Sequence, residues 1–243
     1  MTDKINYANI VLESVPFIAQ EPHRRSIMWL KRSKQREISP EEFQSKVLGG
    51  KDDWRTPLVI TGDVTLSGMK LPRRFSLSDS TIKGHLFLAN SALEDGLNLF
   101  RVQIEKGVDL SGAELGRPNI FASRIQNCIV GEDVILANST LFAGFDFEES
   151  KILGNLQIDY ATVGGGIGLE NLLIGGNLSC ADLTWKEEGE LYLQNTIVEG
   201  DCYAGEDVEL AMQLFLYFGK RVRISSAGAR RMAASLQGKG SVL

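Results

Sequence analysis

Apolar residues recur at intervals of eleven through most of this chain. Two further apolar residues follow an anchor by four and six positions, as Leu86 and Leu88 follow Ile82. A glycine often stands two or three positions after the anchor, and a small residue usually stands two positions before the next one. After the sixth anchor the register slips by four residues and then resumes. The anchors are Ile60, Leu71, Ile82, Leu93, Ile104, Leu115, Val130, Leu141, Ile152, Val163, Ile174 and Trp185.

The pattern inside each unit favours short strands over a helix. An eleven-residue apolar repeat also fits a right-handed helical supercoil, because it corresponds to about 3.67 residues per turn. On a helix, however, Leu86 and Leu88 would point about 200° apart, whereas on a strand they share one face. A glycine in nearly every unit would also cost a helix roughly 1 kcal/mol each time. We therefore predict strands joined by tight turns.

The inward positions predict an all-β solenoid with two units, or twenty-two residues, in each coil. Each unit supplies two inward pairs, Leu-x-Leu and then Ser/Ala-x-Ile/Leu, so that four pairs close one coil. Coils stacked about 4.8 Å apart align like residues into continuous ladders. From Ile60 to Val198 the repeat makes about six coils and a rod roughly 30 Å long. The small inward residues are Ser80, Ser91, Ala113, Ser139, Ser150 and Ala161.

Four segments resemble the A-(D/N)-L core of bacterial pentapeptide-repeat proteins: Ser91-Ala92-Leu93, Ala113-Glu114-Leu115, Ser139-Thr140-Leu141 and Ala181-Asp182-Leu183. The resemblance covers residues 57–205 and implies a right-handed, four-sided parallel β-helix. The family steps by five residues, whereas this chain alternates steps of five and six, so we expect an irregular, wider variant. The resemblance also implies protein binding. Some family members present an acidic rod to DNA topoisomerases in place of duplex DNA, and members often dimerise end to end.

The segments flanking the repeat predict short helical caps, which divide the chain into residues 1–56, 57–205 and 206–243. Ser39-Pro40-Glu41-Glu42 predicts the start of a helix over Glu41–Leu48, because a serine cap, an early proline and first-turn acids all favour a helix N-terminus. Residues 116–129 interrupt the repeat as an inserted loop or bulge, which is either a contact site or a tolerated insertion.

The C-terminal part holds the densest apolar cluster of the chain, from Val208 to Phe218. It has two compatible interpretations, a lid on the last coil and a self-association surface. A basic tail follows, with one short helix expected near Ala227–Leu236. The residues proposed for self-association are Leu210, Leu214, Phe215, Tyr217 and Phe218.

Charge is strongly segregated along the chain, although the net charge is only −5. Residues 86–209 hold twenty-one Asp or Glu against six Lys or Arg. Residues 1–85 carry a net charge of +4, and residues 210–243 carry +6 with no acidic residue. An acidic shaft favours a basic partner, since such a field speeds association and weakens with salt. The predicted binding face consists of Glu94, Asp95, Asp109, Glu114, Asp146, Glu148, Asp159 and Glu170.

No constellation predicts a catalytic, metal or cofactor site, so we expect a protein that is not an enzyme. His23 and His85 have no zinc-ligand spacing around them, and His85 should face solvent because it alternates with an inward leucine. The run Gly164–Gly168 lacks the Lys-Ser/Thr of a phosphate loop and reads as corner glycines. Asp146 and Glu148 flank an inward residue and should face water with ordinary acidity.

Cysteine usage and hydropathy favour a cytoplasmic protein. Three cysteines (Cys128, Cys180 and Cys202) cannot all pair, and Cys180 falls on an inward position, so we expect reduced core thiols. No apolar run approaches the eighteen or so residues that span a bilayer.

The leading hypothesis is a macromolecule-binding solenoid, in its sharper form a nucleic-acid mimic acting on a DNA-binding protein. The solenoid itself is not expected to bind nucleic acid. One alternative is a structural protein that forms dimers or filaments through its C-terminal cap. Another is a membrane-peripheral effector or adaptor held by the basic segment His23–Arg36, which also has the blander interpretation of a cap over the first coil. Whether residues 220–231 bind anything stays open.

Overall fold

The chain forms a parallel β-helix with short helical caps, in agreement with the sequence prediction. The computed structural model describes residues 35–50, 54, 56–118, 122–186 and 189–231. Over these ranges twenty-eight short strands lie in four sheets, and every pairing between strands is parallel. The four sheets are the four faces of the solenoid, and two of them contain six strands, which confirms six complete coils.

We name the sheets faces A to D in the order in which the chain passes through them. Face A contains β1 (Arg36–Ile38), β2 (Leu58–Ile60), β6 (Thr81–Ile82), β10 (Gln103–Ile104), β14 (Ile129–Val130), β18 (Lys151–Ile152), β22 (Leu173–Ile174) and β26 (Ile197–Val198). Face B contains β3 (Val64–Thr65), β7 (Leu86–Phe87), β11 (Val108–Asp109), β15 (Val134–Ile135), β19 (Leu156–Gln157), β23 (Leu178–Ser179), β27 (Cys202–Tyr203) and β28 (Val222–Arg223). Face C contains β4 (Lys70–Leu71), β8 (Ala92–Leu93), β12 (Glu114–Leu115), β16 (Thr140–Leu141), β20 (Thr162–Val163) and β24 (Thr184–Trp185). Face D contains β5 (Phe75–Ser78), β9 (Leu97–Phe100), β13 (Ser123–Gln126), β17 (Phe145–Asp146), β21 (Ile167–Gly168) and β25 (Leu191–Tyr192).

The predicted anchors stack as the repeat requires. On face A, Ile60 pairs with Ile82, and Ile82 pairs with Ile104, one coil of twenty-two residues apart. Both departures from this period fall at one corner, between faces C and D. The first lies between β12 and β13, inside the predicted insertion, and the second lies between β24 and β25. The chain therefore changes length at this corner without losing the register of the ladders.

The interior is a continuous column of apolar ladders with small residues at fixed positions. The predicted inward pair Leu86 and Leu88 is fully buried, and the six small residues predicted to point inward are all buried. One anchor differs: Trp185 is only partly buried. Its strand β24 is the last strand of face C, so no further strand of that sheet covers the ring.

One corner residue in each half-coil adopts the left-handed backbone region, at intervals that follow the repeat. Asparagine, aspartate and glycine tolerate this conformation best, and they occupy most of these positions. The non-glycine residues are Asp79, Asn90, Arg101, Asn127, Asn138, Glu149, Tyr160, Asn171, Asp182 and Asn195.

The N-terminal cap is built around α1 (Pro40–Leu48), which confirms the predicted helix. The Ser39 side chain accepts the backbone N–H of Glu42, and Gly49 ends the helix. The fully buried Phe43 closes the first coil, and its ring lies 5.3 Å from the Trp54 ring. Strand β1 adds one rung to face A beyond this coil.

The C-terminal cap is built around α2 (Val208–Phe218), whose first turn is capped by Asp207. Leu210, Ala211 and Leu214 pack against the last coil, so the lid interpretation of this segment holds. A 3-10 turn (Gly219–Arg221) then leads into β28, which returns to face B. Residues 226–231 are helical, and the remainder of the predicted tail helix lies outside the described residues.

Candidate functional site

The eight acidic residues predicted as one binding face lie on three faces, so that part of the prediction is wrong. Alternation along each strand identified outward positions, but it did not identify which side of the rod each strand occupies. Face B carries Asp109 and Asp159. On or beside face C lie Glu94, Asp95 and Glu114. On or beside face D lie Asp146, Glu148 and Glu170.

Several acids on faces C and D have partners within the chain, and in three of them a cation offsets the charge that they present to another molecule. Glu148 accepts a hydrogen bond from the Gln126 side chain at 2.7 Å. The ion pairs are Lys70 Nζ with Glu94 Oε1 at 2.7 Å, Arg117 with Asp95, and Arg124 Nε with Asp146 Oδ2 at 3.6 Å.

Asp146 does not keep the ordinary acidity predicted for it. Burial raises the pKa of this carboxyl, and the nearby Glu170 raises it further, while Arg124 acts in the opposite direction. The prediction failed because alternation places the side chain outside the core but says nothing of neighbours on adjacent coils. Asp146 lies between Arg124 and Gly168 in the stacked sheet, and its side chain is only 28% exposed.

Face B presents a different surface, which is acidic along most of its length and ends on Arg223 of its last rung, β28. Its segments (63–68, 85–90, 107–112, 133–138, 155–160, 177–182 and 201–205) contain six aspartates and no Lys or Arg. Every turn except the second contributes one of them. The hydrogen bond from the His85 backbone N–H lowers the pKa of Asp63, and Lys106, which borders the face at its corner with face A, lowers it further. We call the six residues the aspartate band: Asp63, Asp109, Asp133, Asp159, Asp182 and Asp201.

Several aspartates of the band also hold successive coils together. Asp133 Oδ1 accepts the backbone N–H of Asn155 at 2.7 Å. Asn155 Oδ1 accepts the N–H of Asn177, and Asn177 Oδ1 accepts the N–H of Asp201, each at 2.8 Å. At this corner the side-chain oxygen of either asparagine or aspartate accepts a backbone N–H of the next coil. These hydrogen bonds between coils do not require the negative charge of the aspartates, because neutral asparagine side chains also accept them.

His85 occupies the turn of the band that lacks an aspartate, and it is less exposed than the sequence predicts. Its Nδ1 lies 3.4 Å from Asp63 Oδ1, and its Nε2 lies 3.2 Å from Glu132 Oε2. The imidazole also stacks on Phe87 with ring centroids 4.9 Å apart. The contact with Glu132 spans two coils because Gly107 intervenes without a side chain.

A shallow groove of about 330 Å³ lies on face B near its C-terminal end. Carboxamide, carboxylate and hydroxyl groups form most of its lining, and Tyr203 is 39% exposed. Neither the groove nor Tyr203 was predicted from the sequence. The lining residues are Asn155, Gln157, Asp159, Asn177, Ser179 and Tyr203.

The self-association residues predicted in the C-terminal cap divide into two groups. Leu210 and Leu214 are buried in the lid and cannot form an outer surface, so these two assignments are wrong. Phe218 is partly buried against the core. Phe215 and Tyr217 are exposed, and two further residues that the sequence analysis did not select, Met212 and Leu216, are exposed beside them.

The glycine run and the cysteines have structural explanations. A Cβ on Gly164 would lie 2.2 Å from the backbone oxygen of Phe142 in the preceding coil, so close stacking requires the glycine. All three cysteines are free and buried. Burial raises the pKa of Cys128 to about 12 and that of Cys202 to about 11, and it raises the pKa of Cys180 as well, which leaves the thiols unreactive.

Within the described ranges, no group of three or more His, Cys, Asp or Glu side chains could hold a metal ion. None of the helices in those ranges has the length and apolar character needed to cross a bilayer. Residues 23–34 of the basic N-terminal segment lie outside the described residues, and Arg36 pairs with Glu42 at 2.6 Å. In the C-terminal basic segment, Arg223 pairs with Asp201 at 3.2 Å.

Comparison of the chain with models of protein families, with curated proteins and with solved structures gave no match. The resemblance to pentapeptide-repeat proteins therefore stays a prediction, as does the handedness that it implies.

Proposed function

We propose that this chain is a non-enzymatic binding protein whose face B receives a basic macromolecule, most specifically a DNA-binding protein. The aspartate band carries the proposal. With coils about 4.8 Å apart, the band presents roughly one negative charge every 5 to 6 Å of the rod axis. One strand of duplex DNA presents one about every 3.4 Å. The two densities are similar enough for a surface that binds nucleic acid to be attracted to the rod.

The other faces support the choice of face B, because positive charges interrupt them within the rod, whereas Arg223 of face B lies on its last rung, β28. Lys151 lies on face A, Lys70 on face C and Arg124 on face D. An uninterrupted field of one sign raises the association rate of an oppositely charged partner, and salt screens it. A cytoplasmic location, proposed from the cysteines, would place the chain beside such partners.

Charge-neutralising substitutions test this proposal without disturbing the fold. In the triple variant Asp109→Asn, Asp159→Asn and Asp182→Asn, each residue keeps the oxygen that accepts hydrogen bonds. The matched control, Glu114→Gln, Glu148→Gln and Glu170→Gln, removes the same charge from faces C and D. Binding to a bacterial DNA topoisomerase, and to basic proteins from a bacterial lysate, is measured at low and high salt.

The face B variant should bind about tenfold more weakly, since electrostatic steering contributes factors of that order. The control variant should bind as the unmodified chain does. Equal binding by all three proteins would contradict the proposal. Equal loss in both variants would assign binding to overall charge, and face B would have no special role.

A second function, self-association, is favoured by the exposed face of α2. Phe215 is 56% exposed and Leu216 is 73% exposed, and together with Met212 and Tyr217 they present on the order of 450 Å² of mostly apolar surface. Glu209 lies in the first turn of this helix and Lys220 follows its last residue, and neither forms an ion pair within the described residues. An antiparallel pair of helices would bring Glu209 of one copy near Lys220 of the other.

The self-association proposal is tested by the dependence of mass on concentration. Light scattering should show a dimer that dissociates on dilution, and Leu216→Glu should leave a monomer, because a charge at the centre of an apolar contact is not compensated. Tyr192→Ser, which changes an exposed aromatic on face D, serves as the control. A monomer at every concentration of the unmodified chain would refute this second function.

A further inference from the structure

The groove on face B exists because a small residue separates two larger ones. Gln157, Ser179 and Tyr203 occupy the same outward position in three successive rungs, β19, β23 and β27. Serine leaves a depression between the glutamine and the tyrosine. The neighbouring Asn155 and Asn177 form one wall at the corner with face A. The depression therefore follows from side-chain size in a regular sheet.

The chemistry of the lining suits a planar cation. Asp159 Oδ1 accepts the Ser179 hydroxyl at 2.6 Å and the Ala181 N–H at 2.8 Å, which leaves the second carboxylate oxygen available. The carboxamide of Gln157 makes no hydrogen bond within the described part of the chain. Tyr203 lines the groove and is 39% exposed, and aromatic faces attract guanidinium groups. No cationic side chain lines the groove.

On the next rung, the chain already contains a contact between a guanidinium and a carboxylate of face B. Arg223 of β28 follows Tyr203 in register, and its Nε lies 3.2 Å from Asp201 Oδ2 of the aspartate band. A guanidinium is thus already held on the C-terminal side of Tyr203. The groove lies on the opposite side of the same residue and has comparable acceptors.

We infer that this groove receives an arginine side chain of the basic partner, an inference that rests on the proposed function. The guanidinium stacks on Tyr203 while its N–H groups reach the Asp159 carboxylate and the Gln157 carbonyl. Arginine is preferred over lysine because its planar fork serves several acceptors at once and is more weakly hydrated. The aspartate band attracts the partner, and the groove sets its register on the rod.

The test uses the full chain, a short oligo-arginine peptide and an oligo-lysine peptide of equal length. Tyr203→Ser and Gln157→Ala change the groove without changing charge, and serine already occupies the position above Tyr203. Tyr192→Ser is the matched control, since Tyr192 is the second residue of its strand on face D and is 48% exposed. Affinities are measured by calorimetry at one moderate salt concentration.

Oligo-arginine should bind more tightly than oligo-lysine. Tyr203→Ser should weaken oligo-arginine binding about fivefold, the loss of roughly 1 kcal/mol expected for one cation–π contact. Tyr192→Ser should have no effect. Equal affinity for the two peptides, or an unchanged affinity in Tyr203→Ser, would overturn the inference.

The charge variants of the proposed function separate the two possible failures. If the triple face B variant loses peptide binding while the groove variants do not, the proposed function stands and the groove inference falls. If neither set of variants changes binding, both fall. Loss in both sets, with the face C and D control intact, is the result expected when both hold.

Discussion

The hydroxyl of Ser139 is buried and has no hydrogen-bond partner within the described ranges, whereas neighbouring coils carry Ala113 and Ala161 at this position. An unsatisfied buried polar group destabilises a protein by about 1 to 3 kcal/mol. We expect Ser139→Ala to raise the free energy of unfolding by about 1 kcal/mol, near the lower end of that range. Chemical denaturation measures the change.

Ser150 is the control for this substitution, because its hydroxyl is fully engaged. It accepts the backbone N–H of Cys128 at 3.1 Å and lies 2.9 Å from the carbonyl oxygen of Glu148, to which it donates. Ser150→Ala should lower the free energy of unfolding by about 1 to 3 kcal/mol, since it leaves the N–H of Cys128 buried without an acceptor. If the two substitutions had the same effect, hydrogen bonding would not account for it.

The raised pKa of Asp146 predicts a pH-dependent effect. Because burial disfavours the charged carboxylate, the folded state is destabilised at every pH above the folded pKa. Asp146→Asn should therefore stabilise the chain at neutral pH. The gain should shrink as pH falls through the folded pKa and vanish below the ordinary value of 3.8, where both states are protonated.

Thermal melts of Asp146→Asn and of the unmodified chain, from neutral pH downward, measure this difference. Glu114→Gln is the control, since Glu114 is an exposed outward acid on face C. A gain that is constant at all pH values would show that titration of Asp146 is not its cause.

At this scale the sequence predicted which residues point inward, including all six small ones. It did not predict which hydroxyl lacks a partner or which outward carboxyl is partly buried. Both properties depend on atoms of adjacent coils, and the coil period alone does not specify those atoms.

At the scale of turns and caps, the left-handed corner is the element that the sequence analysis missed. Three equivalent corner residues between faces B and C are Asn138, Tyr160 and Asp182, with φ values of 59°, 58° and 53°. The signal was present as an excess of asparagine, aspartate and glycine one position before each small inward residue. Tyrosine at residue 160 departs from it.

Tyr160→Asn should stabilise the fold by about 0.5 to 1 kcal/mol, because a non-glycine residue other than asparagine or aspartate is strained in this conformation by up to about 1 to 2 kcal/mol. The Tyr160 side chain is largely exposed, so little packing is lost. Denaturation of Tyr160→Asn is compared with that of the reverse substitution at the matched corner, Asn138→Tyr, which should destabilise. A loss of stability in Tyr160→Asn would mean that the ring has a packing role.

The caps show why some elements were predictable. Helix α1 carries a serine cap, an early proline and first-turn acids, and all of these are local signals. Helix α2 has apolar residues on the side that packs on the last coil and also on its exposed side. Its sequence therefore lacks the polar face that would mark a helical period. Strand β1 adds a rung to face A, but it lies before the first repeat anchor, so the repeat pattern does not predict it.

At the scale of the whole molecule, each coil contacts only its neighbours, so the rod should tolerate loss of a complete coil. Removing residues 142–163, one coil free of insertions, joins Leu141 to Gly164 in the register that Val163 had. We expect a cooperative fold shorter by about 4.8 Å. Small-angle scattering measures the length and circular dichroism follows unfolding. An unfolded or aggregated product would contradict this modular description.

The location of the aspartate band also belongs to this scale. To assign an acidic residue to a face from the sequence, one must know the corner at which each insertion lies. The repeat alone does not specify that corner. Two members of the band, Asp109 and Asp159, were selected from the sequence, but they were grouped with acids that lie on other sides of the rod. Only the closed coil shows which acids share a face.

The corner between faces C and D has a practical consequence. Because both natural changes in length occur there, the rod has one edge along which additional sequence can be inserted while the ladders keep their register. Short epitopes placed at this edge in different coils would be displayed on the same side of the molecule, at heights graduated in steps of about 4.8 Å. The protein would then serve as a molecular ruler, with its insertion edge as the scale and its capped ends as fixed marks.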